Sequence, residues 1–516
     1  MAASETGKAG KTAGRRLVAF KALALLALLA VTAYGMFDGG LYFEEKWLPV
    51  AAGILALSLV TLFVRGYYSG VPKAGWLLIG LLGALVLVKG LSMIWTISPS
   101  LTIQELLRSA MYLATFAVAL AAVSYRRQAA PIVDAICLVI APVAGYGLLQ
   151  KIYPASFPVS ATSPDRIDST LEYANTFAMV VALGIMLGLA RMGSLRSPLA
   201  RAVYAALLLC LCAALFFTFS RGGFAALGLG VAVFFVLCGD RLRSLANLLL
   251  LSLPALWLVY RTQDHAALYQ SGAPQAEQLA AGGALLTDLL IAAAAAFVLQ
   301  LAYSMVAMRR GLQSGARRAL GALAVVGVVA LVGVGGFAAL GAVSDSGGEG
   351  ATSGVQERLT SLDSLRYTYW KVGLEAWREQ PLTGTGAGTF EYTWLQERPI
   401  DTGVKQIHNL YLEQGTETGI FAFAAMLGFA LVLPLYIGTA ALRMPGGGPG
   451  EPESGRRTLL AGLAAAIVVY LFSSVLEWHW YIPASTLIFF ILAGVAVKYA
   501  SFQNFEKSEN FEKPGA

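Results

Sequence analysis

Residues 406–437 read QIHNLYLEQGTETGIFAFAAMLGFALVLPLYI. The later part is an apolar run of membrane-helix length, since roughly 20 apolar residues cross a hydrocarbon core. Its entrance is different, because His408, Glu413 and Glu417 stand there. Ionisable groups at such a position are costly in lipid, so they call for partners or a purpose. His408, Leu412, Gly415 and Gly419 share one helical face, and the small residues on it permit close packing. Glu413 and Glu417 fall on another face and are expected to pair inside a bundle or line a polar cavity.

The rest of the chain is of the same kind. Of its 516 residues, 57% are hydrophobic and 13% charged, against roughly 25% charged in soluble domains. That balance excludes a water-soluble enzyme of this length. The net charge of +7 comes from basic residues in short loops between apolar runs. This is a membrane-orientation pattern and not a nucleic-acid-binding face. Cys137, Cys210, Cys212 and Cys238 all lie in apolar runs with no C-x-x-C pair, so they read as small buried hydrophobes. His265, His408 and His479 have no metal-ligand spacing. Neither a metal nor a cofactor is expected.

Fourteen apolar runs can be read as spans, at about 17–37, 48–64, 75–95, 105–125, 131–150, 170–190, 200–219, 222–238, 244–260, 283–307, 319–342, 409–438, 458–476 and 480–498. The fold expected is an all-α polytopic membrane protein of about 12–14 transmembrane helices, with one large extracytoplasmic loop containing short helices. The first run is long for a signal sequence and is read as a retained helix. Arg65 and Lys73, Arg126 and Arg127, Arg191 and Arg196, Arg241 and Arg243, Arg309 to Arg318, and Arg443 to Arg457 recur in alternate loops. By the positive-inside rule those loops are cytoplasmic. Residues 1–16 then form a flexible cytoplasmic N-terminus, 17–342 hold helices one to eleven, and 343–407 face outward. Residues 408–499 hold the last three helices, and 500–516 form a flexible cytoplasmic tail. A loop as long as 343–407 between spans is usually functional.

In this topology the outer side gathers the unusual residues. FTFSRGGFAAL, 217–227, places Arg221, Gly222 and Gly223 where a helix begins. Unpaired N–H groups and partial positive charge at that terminus, beside an arginine, suit a phosphate-type anion. A snorkelling interfacial arginine is the competing reading. Asn175, in RIDSTLEYANTF, is expected near the same surface. In LDSLRYTYWKVGLEAWREQPLTGTGAGTF, 362–390, Arg366, Tyr369, Trp370, Gly373, Leu374 and Trp377 share one helical face, which Pro381 ends. Arg366 is the odd member of that apolar face. GTGAGTF follows no strand, so it reads as a turn bringing backbones close and not as a nucleotide loop. Trp478, Trp480 and Tyr481 in LEWHWYIP form an aromatic belt or a surface on which sugars stack. Glu105 and Arg108, one turn apart, are expected to pair. His408, at a helix start on the side that holds Arg221 and Arg366, is placed to accept a proton.

SRGG at 220–223, Arg366 and Trp370 followed by PLTGTGAGTF, and HNLYLEQGTETG at 408–419, in that order, resemble the O-antigen ligase and O-antigen polymerase family. The resemblance runs from about residue 170 to the end of the chain. It implies a membrane glycosyltransferase that takes glycan from an undecaprenyl-diphosphate donor to a hydroxyl acceptor outside the cytoplasmic membrane. The acceptor class is a lipid, a polysaccharide or a protein. The family's functional residues match Arg221, Arg366 and His408 here, and Asn409 and Tyr411 lie in the same motif. Fourteen runs exceed the roughly twelve helices of the ligase pattern.

Chemistry points the same way. Nucleotide sugars are absent outside the membrane, so an activated donor must arrive on lipid, and a diphosphate leaves well once its charge is neutralised. Arginines and helix N-termini can do this without metal. His408 would remove the acceptor proton, and a single displacement would invert the anomeric centre. The alternative is a polytopic transporter or flippase for a lipid-linked glycan or small anion. Transporters tend to carry inverted repeats and broken helices, and no repeat is evident here.

Overall fold

Long stretches of Leu, Ala, Val and Phe satisfy every backbone group internally only as helices when no water is at hand. The computed structural model, which describes residues 2–160, 164–270, 272–310, 365–445 and 452–511, follows this rule throughout. Its helices are α1 (Ala2–Met36), α2 (Glu44–Phe63), α3 (Lys73–Leu91), α4 (Pro99–Ala122), α5 (Ala129–Ile152), α6 (Ala174–Ser194), α7 (Pro198–Phe217), α8 (Arg221–Leu237), α9 (Arg241–Thr262) and α10 (Gln275–Arg310). They continue as α11 (Leu365–Glu379), α12 (Phe390–Glu397), α13 (Leu410–Arg443), α14 (Pro452–Ser473) and α15 (Pro483–Phe511). No strand occurs among the described residues.

Twelve of these helices are long and apolar enough to cross a membrane. The chain is thus an all-α polytopic membrane protein. The span expected at 222–238 is α8, whose 17 residues extend about 26 Å, just short of a hydrocarbon core of roughly 30 Å. The run expected at 319–342 and the first part of the expected loop, 343–364, lie outside the described residues. Helix α1 begins at Ala2 and α15 runs to Phe511, stretches that carry Ala, Lys and Glu, residues that favour helix.

The chain divides into two compact units. One comprises Met1–Ile136, Leu365–Ala440 and Tyr470–Ala516; the other comprises Cys137–Ser364 and Ala441–Val469. In the first unit α4 is central, with α1, α2, α3 and α15 packed on it. Its interior is not purely apolar. Lys89 Nζ lies 3.2 Å from Glu105 Oε2, and Arg108 pairs with the other Glu105 oxygen. The Arg108 guanidinium lies 4.7 Å from the Trp47 ring centre and 4.8 Å from that of Tyr481. The expected Glu105–Arg108 pair therefore exists, and Lys89 joins it. A buried carboxylate held by two cations and aromatic faces meets the requirement for placing charge in a low-dielectric interior.

Helix α13 is where the fold serves the site. Gly419, with φ of 74°, breaks its regular geometry. A β-carbon there would lie 2.1 Å from the Leu382 carbonyl oxygen, so the position requires glycine. The break separates a polar lead-in, 410–418, from the apolar span. The N–H of Ile420, just after the break, donates to Pro381 O at 2.9 Å. The glycine-rich segment 384–388 wraps this lead-in. Gly386 N–H donates to Glu417 O at 2.7 Å, and the Glu417 carboxylate accepts from Gly388 N–H at 2.8 Å and Phe390 N–H at 3.1 Å. The second carboxylate, Glu413, accepts from the Tyr481 hydroxyl at 2.7 Å. Packing from α11 completes the arrangement, with Thr416 Oγ1 donating to Gly373 O at 2.9 Å and the Trp377 ring lying over Gly415.

In the second unit α6 packs against α7 and α8, and α7, α9 and α10 pack together. Gly223 allows α8 to meet α6 closely, since a β-carbon there would approach Ala178 Cβ to 2.7 Å.

Candidate functional site

Within the first unit, Arg366 and His408 converge on one residue, Glu477. Arg366 sits in the first turn of α11, and His408 lies two residues before α13. Glu477 lies in the turn between α14 and α15. Arg366 Nη2 donates to Glu477 Oε1, and Glu477 Oε2 lies 3.6 Å from His408 Nδ1. The carboxylate side chain is 4% exposed, that of His408 18% and that of Arg366 32%. The anion is therefore sheltered while both partners reach the surface.

Local sequence builds this geometry. Asn409 caps α13, its Oδ1 accepting from Tyr411 N–H and Leu412 N–H at 3.1 Å each. The chain turns sharply just before that cap, and His408 takes φ of 59°, the left-handed region. For a residue with a β-carbon this costs about 1–3 kcal/mol. The imidazole stacks on Tyr369, ring centres 5.6 Å apart, and meets the edge of Trp478 at 6.2 Å. Tyr369 belongs to a small core with Val372, Phe390, Trp394 and Ile407, so the ring rests on a fixed wall.

Electrostatics favour an ionised Glu477. Burial alone would raise its carboxyl, but the neighbouring His408 imidazole and Arg366 guanidinium hold it below the usual glutamate range. His479, on the same turn, is fully buried, and its Nε2 hydrogen-bonds Ser473 Oγ at 2.6 Å. Burial pushes its pKa down to about 4, against an opposing pull from Glu477.

The other residues singled out from sequence are placed as follows. Tyr411 donates its hydroxyl to Leu471 O at 3.0 Å. Trp370 packs against the small core beside Tyr369. Trp480 is 2% exposed, with its ring against Tyr112 at 4.6 Å and Lys89 at 5.3 Å. It lies in the packed interior, not on an open aromatic surface. In the second unit, Arg221 is exposed as the first residue of α8, and Ser220 caps that helix by accepting from Gly223 N–H at 3.2 Å. Gly222 is half-buried and Gly223 buried. Asn175 Oδ1 accepts from Ser220 Oγ at 3.0 Å and from Arg166 Nη2. Asn175 and Ser220 are thereby joined directly, and Arg166, whose Nε also donates to Thr218 O at 2.6 Å, ties Asn175 to the turn before α8.

Sequence reasoning missed Glu477 and Arg166. The available signal for Glu477 was a glutamate flanked by tryptophan between two apolar runs. A carboxylate there has to meet a cation. Its presence also means that His408 is not surrounded by positive charge alone.

The fold and this polar cluster define a multi-pass membrane protein with a reactive-looking histidine held beside an arginine–carboxylate pair. Residues 278–427 match the model of a family described as O-antigen ligase, so this part of the chain is similar to that family. The matched stretch contains Arg366 and His408. No curated protein matches the chain. That match and the polytopic membrane fold support a surface-polysaccharide ligase or polymerase of glycosyltransferase type.

Proposed function

We propose that the protein transfers glycan from an undecaprenyl-diphosphate donor to a hydroxyl acceptor at the outer face of the cytoplasmic membrane. The observation that carries this reading is the convergence of Arg366, Glu477 and His408. His408 is the general base, and its Nε2 takes the proton of the acceptor hydroxyl. The hydroxyl oxygen attacks C1 of the donor sugar, the C1–O–P bond breaks, and the electron pair leaves on the diphosphate. A single displacement inverts the anomeric centre. Arg366 takes up diphosphate charge at this cluster, and Arg221, with the N-terminus of α8 behind it, is the phosphate-binding cation of the second unit. In this reading the arginines fill the role that a metal ion fills in other glycosyl-transfer sites.

The same proposal places 343–407 outside and both termini in the cytoplasm, following the loop-by-loop basic bias. An impermeant thiol reagent on intact cells should label a cysteine at position 353 and spare one at 454; the reverse pattern overturns the topology. The reaction itself is tested with purified protein, a defined lipid-diphosphate glycan and candidate acceptors, with product mass as readout. Transfer that persists in chelator supports the reading. Transfer that vanishes with chelator and returns with magnesium or manganese sinks the assignment of charge neutralisation to the arginines.

A further inference from the structure

We propose that Glu477 is an exchangeable carboxylate that couples donor binding to the base, releasing Arg366 to the diphosphate and taking hold of His408 Nδ1. The proposal rests on the site being a diphosphate-dependent glycosyltransferase.

Three observations lead to it. Arg366, the cation assigned to the diphosphate, is already paired with Glu477 through its Nη2. A donor must therefore compete with that carboxylate and does not meet an unshielded charge. The second Glu477 oxygen lies 3.6 Å from His408 Nδ1, beyond hydrogen-bonding range, and Nδ1 makes no hydrogen bond among the described residues. Finally, Glu477 is nearly buried while Arg366 is one-third exposed, so a polyanion reaches the arginine first.

Phosphate binds a guanidinium in bidentate fashion and carries more charge than a carboxylate. Once Arg366 turns to it, Glu477 is a sheltered anion that has lost a donor. The imidazole N–H lies within about 1 Å of hydrogen-bonding distance. Closing that gap fixes the proton on Nδ1 and directs the Nε2 lone pair to the acceptor hydroxyl. It also gives the imidazolium a counter-charge once the proton has been taken. The wall formed by Tyr369 and Trp478 keeps the ring from turning away. Glu477 is thus a positioning residue that neighbours both functional side chains of this unit. The base is fully set only when the leaving group is bound, which limits unproductive proton abstraction.

The test is Glu477→Gln, which keeps shape and removes charge. Binding of the lipid-diphosphate glycan and turnover at saturating donor are measured separately. The switch predicts opposite changes: donor binds several-fold more tightly because Arg366 is no longer neutralised, while kcat falls by about 10²-fold or more. Glu477→Asp, which restores the charge, should return donor affinity toward wild type and recover part of kcat. It carries the same test if the glutamine variant does not fold. A merely structural role would weaken binding and turnover together in both variants, and that result overturns the switch. Unchanged binding and kcat overturn it as well. If wild-type protein neither binds lipid diphosphate nor transfers glycan, the functional reading fails and takes the switch with it. Wild-type transfer without the opposed changes removes the switch alone.

Discussion

Glu417 and Glu477 are both almost fully buried, yet they are held in opposite ways. Glu417 is fixed by backbone N–H groups of Gly388 and Phe390, donors that cannot leave without unwinding the loop. Glu477 is held by the Arg366 side chain, with His408 3.6 Å away, both partly open to the surroundings. A carboxylate bound by backbone is architecture. One shared between an arginine and a histidine can change partner. The contrast also accounts for the polar start of α13. Glu417 fastens the loop and Glu413 accepts from Tyr481, both before the break at Gly419, and this arrangement presents His408.

The contrast is first tested by removing the architectural carboxylate. Glu417→Ala leaves two buried N–H groups without an acceptor, at about 1–3 kcal/mol each. The expected outcome is a large drop in thermal midpoint in detergent, with transfer lost alongside. Gly419→Ala should do the same, because its β-carbon has no room. A midpoint equal to wild type in Glu417→Ala would erase the distinction drawn here.

A smaller effect on folding, but a large one on turnover, is expected at Arg221. Lysine keeps the charge and loses the planar fork. Arg221→Lys should insert and melt as wild type, because the side chain is exposed, while transfer falls strongly. Wild-type transfer by that variant would remove Arg221 from diphosphate binding.

The smallest effect is expected from pH acting on His479. Its folded pKa is about 4, below an unfolded value of about 6.5. Between those values the unfolded chain binds more protons, so stability rises with pH across this window and falls as pH drops from about 6.5 to about 4. Glu477, whose folded pKa is also depressed, adds stability present above the ordinary glutamate range and lost as pH falls through its lower folded value. Thermal midpoints should therefore fall less steeply between pH 6.5 and 4 in His479→Gln than in wild type. Parallel curves would show that His479 is not the group responsible.

Much of this was legible in the sequence, for identifiable reasons. Hydropathy found the spans because lipid forces every backbone group to pair within a helix. It found even α8, which is a turn shorter than its neighbours. Arg366 and His408 stood out because each was the charged or titratable exception in an apolar setting. The Glu105–Arg108 pair followed from helical spacing, but Lys89 did not, since it comes from a different helix. Glu477 remained hidden because its meaning depends on a tertiary meeting of three segments separated by up to 111 residues. The left-handed His408 remained hidden because no local residue pattern demands that conformation. Trp480 reads in the sequence as part of an aromatic belt or a surface for sugars, and its contact with Lys89, from a different helix, was not legible there.

The central claim, that His408 is the base of a glycosyl transfer, is tested most directly by measuring donor binding and turnover side by side in wild type and His408→Ala. The account predicts that the variant binds the lipid-diphosphate glycan as wild type does and turns over about 10²–10⁴-fold more slowly. Wild-type turnover in His408→Ala would contradict it.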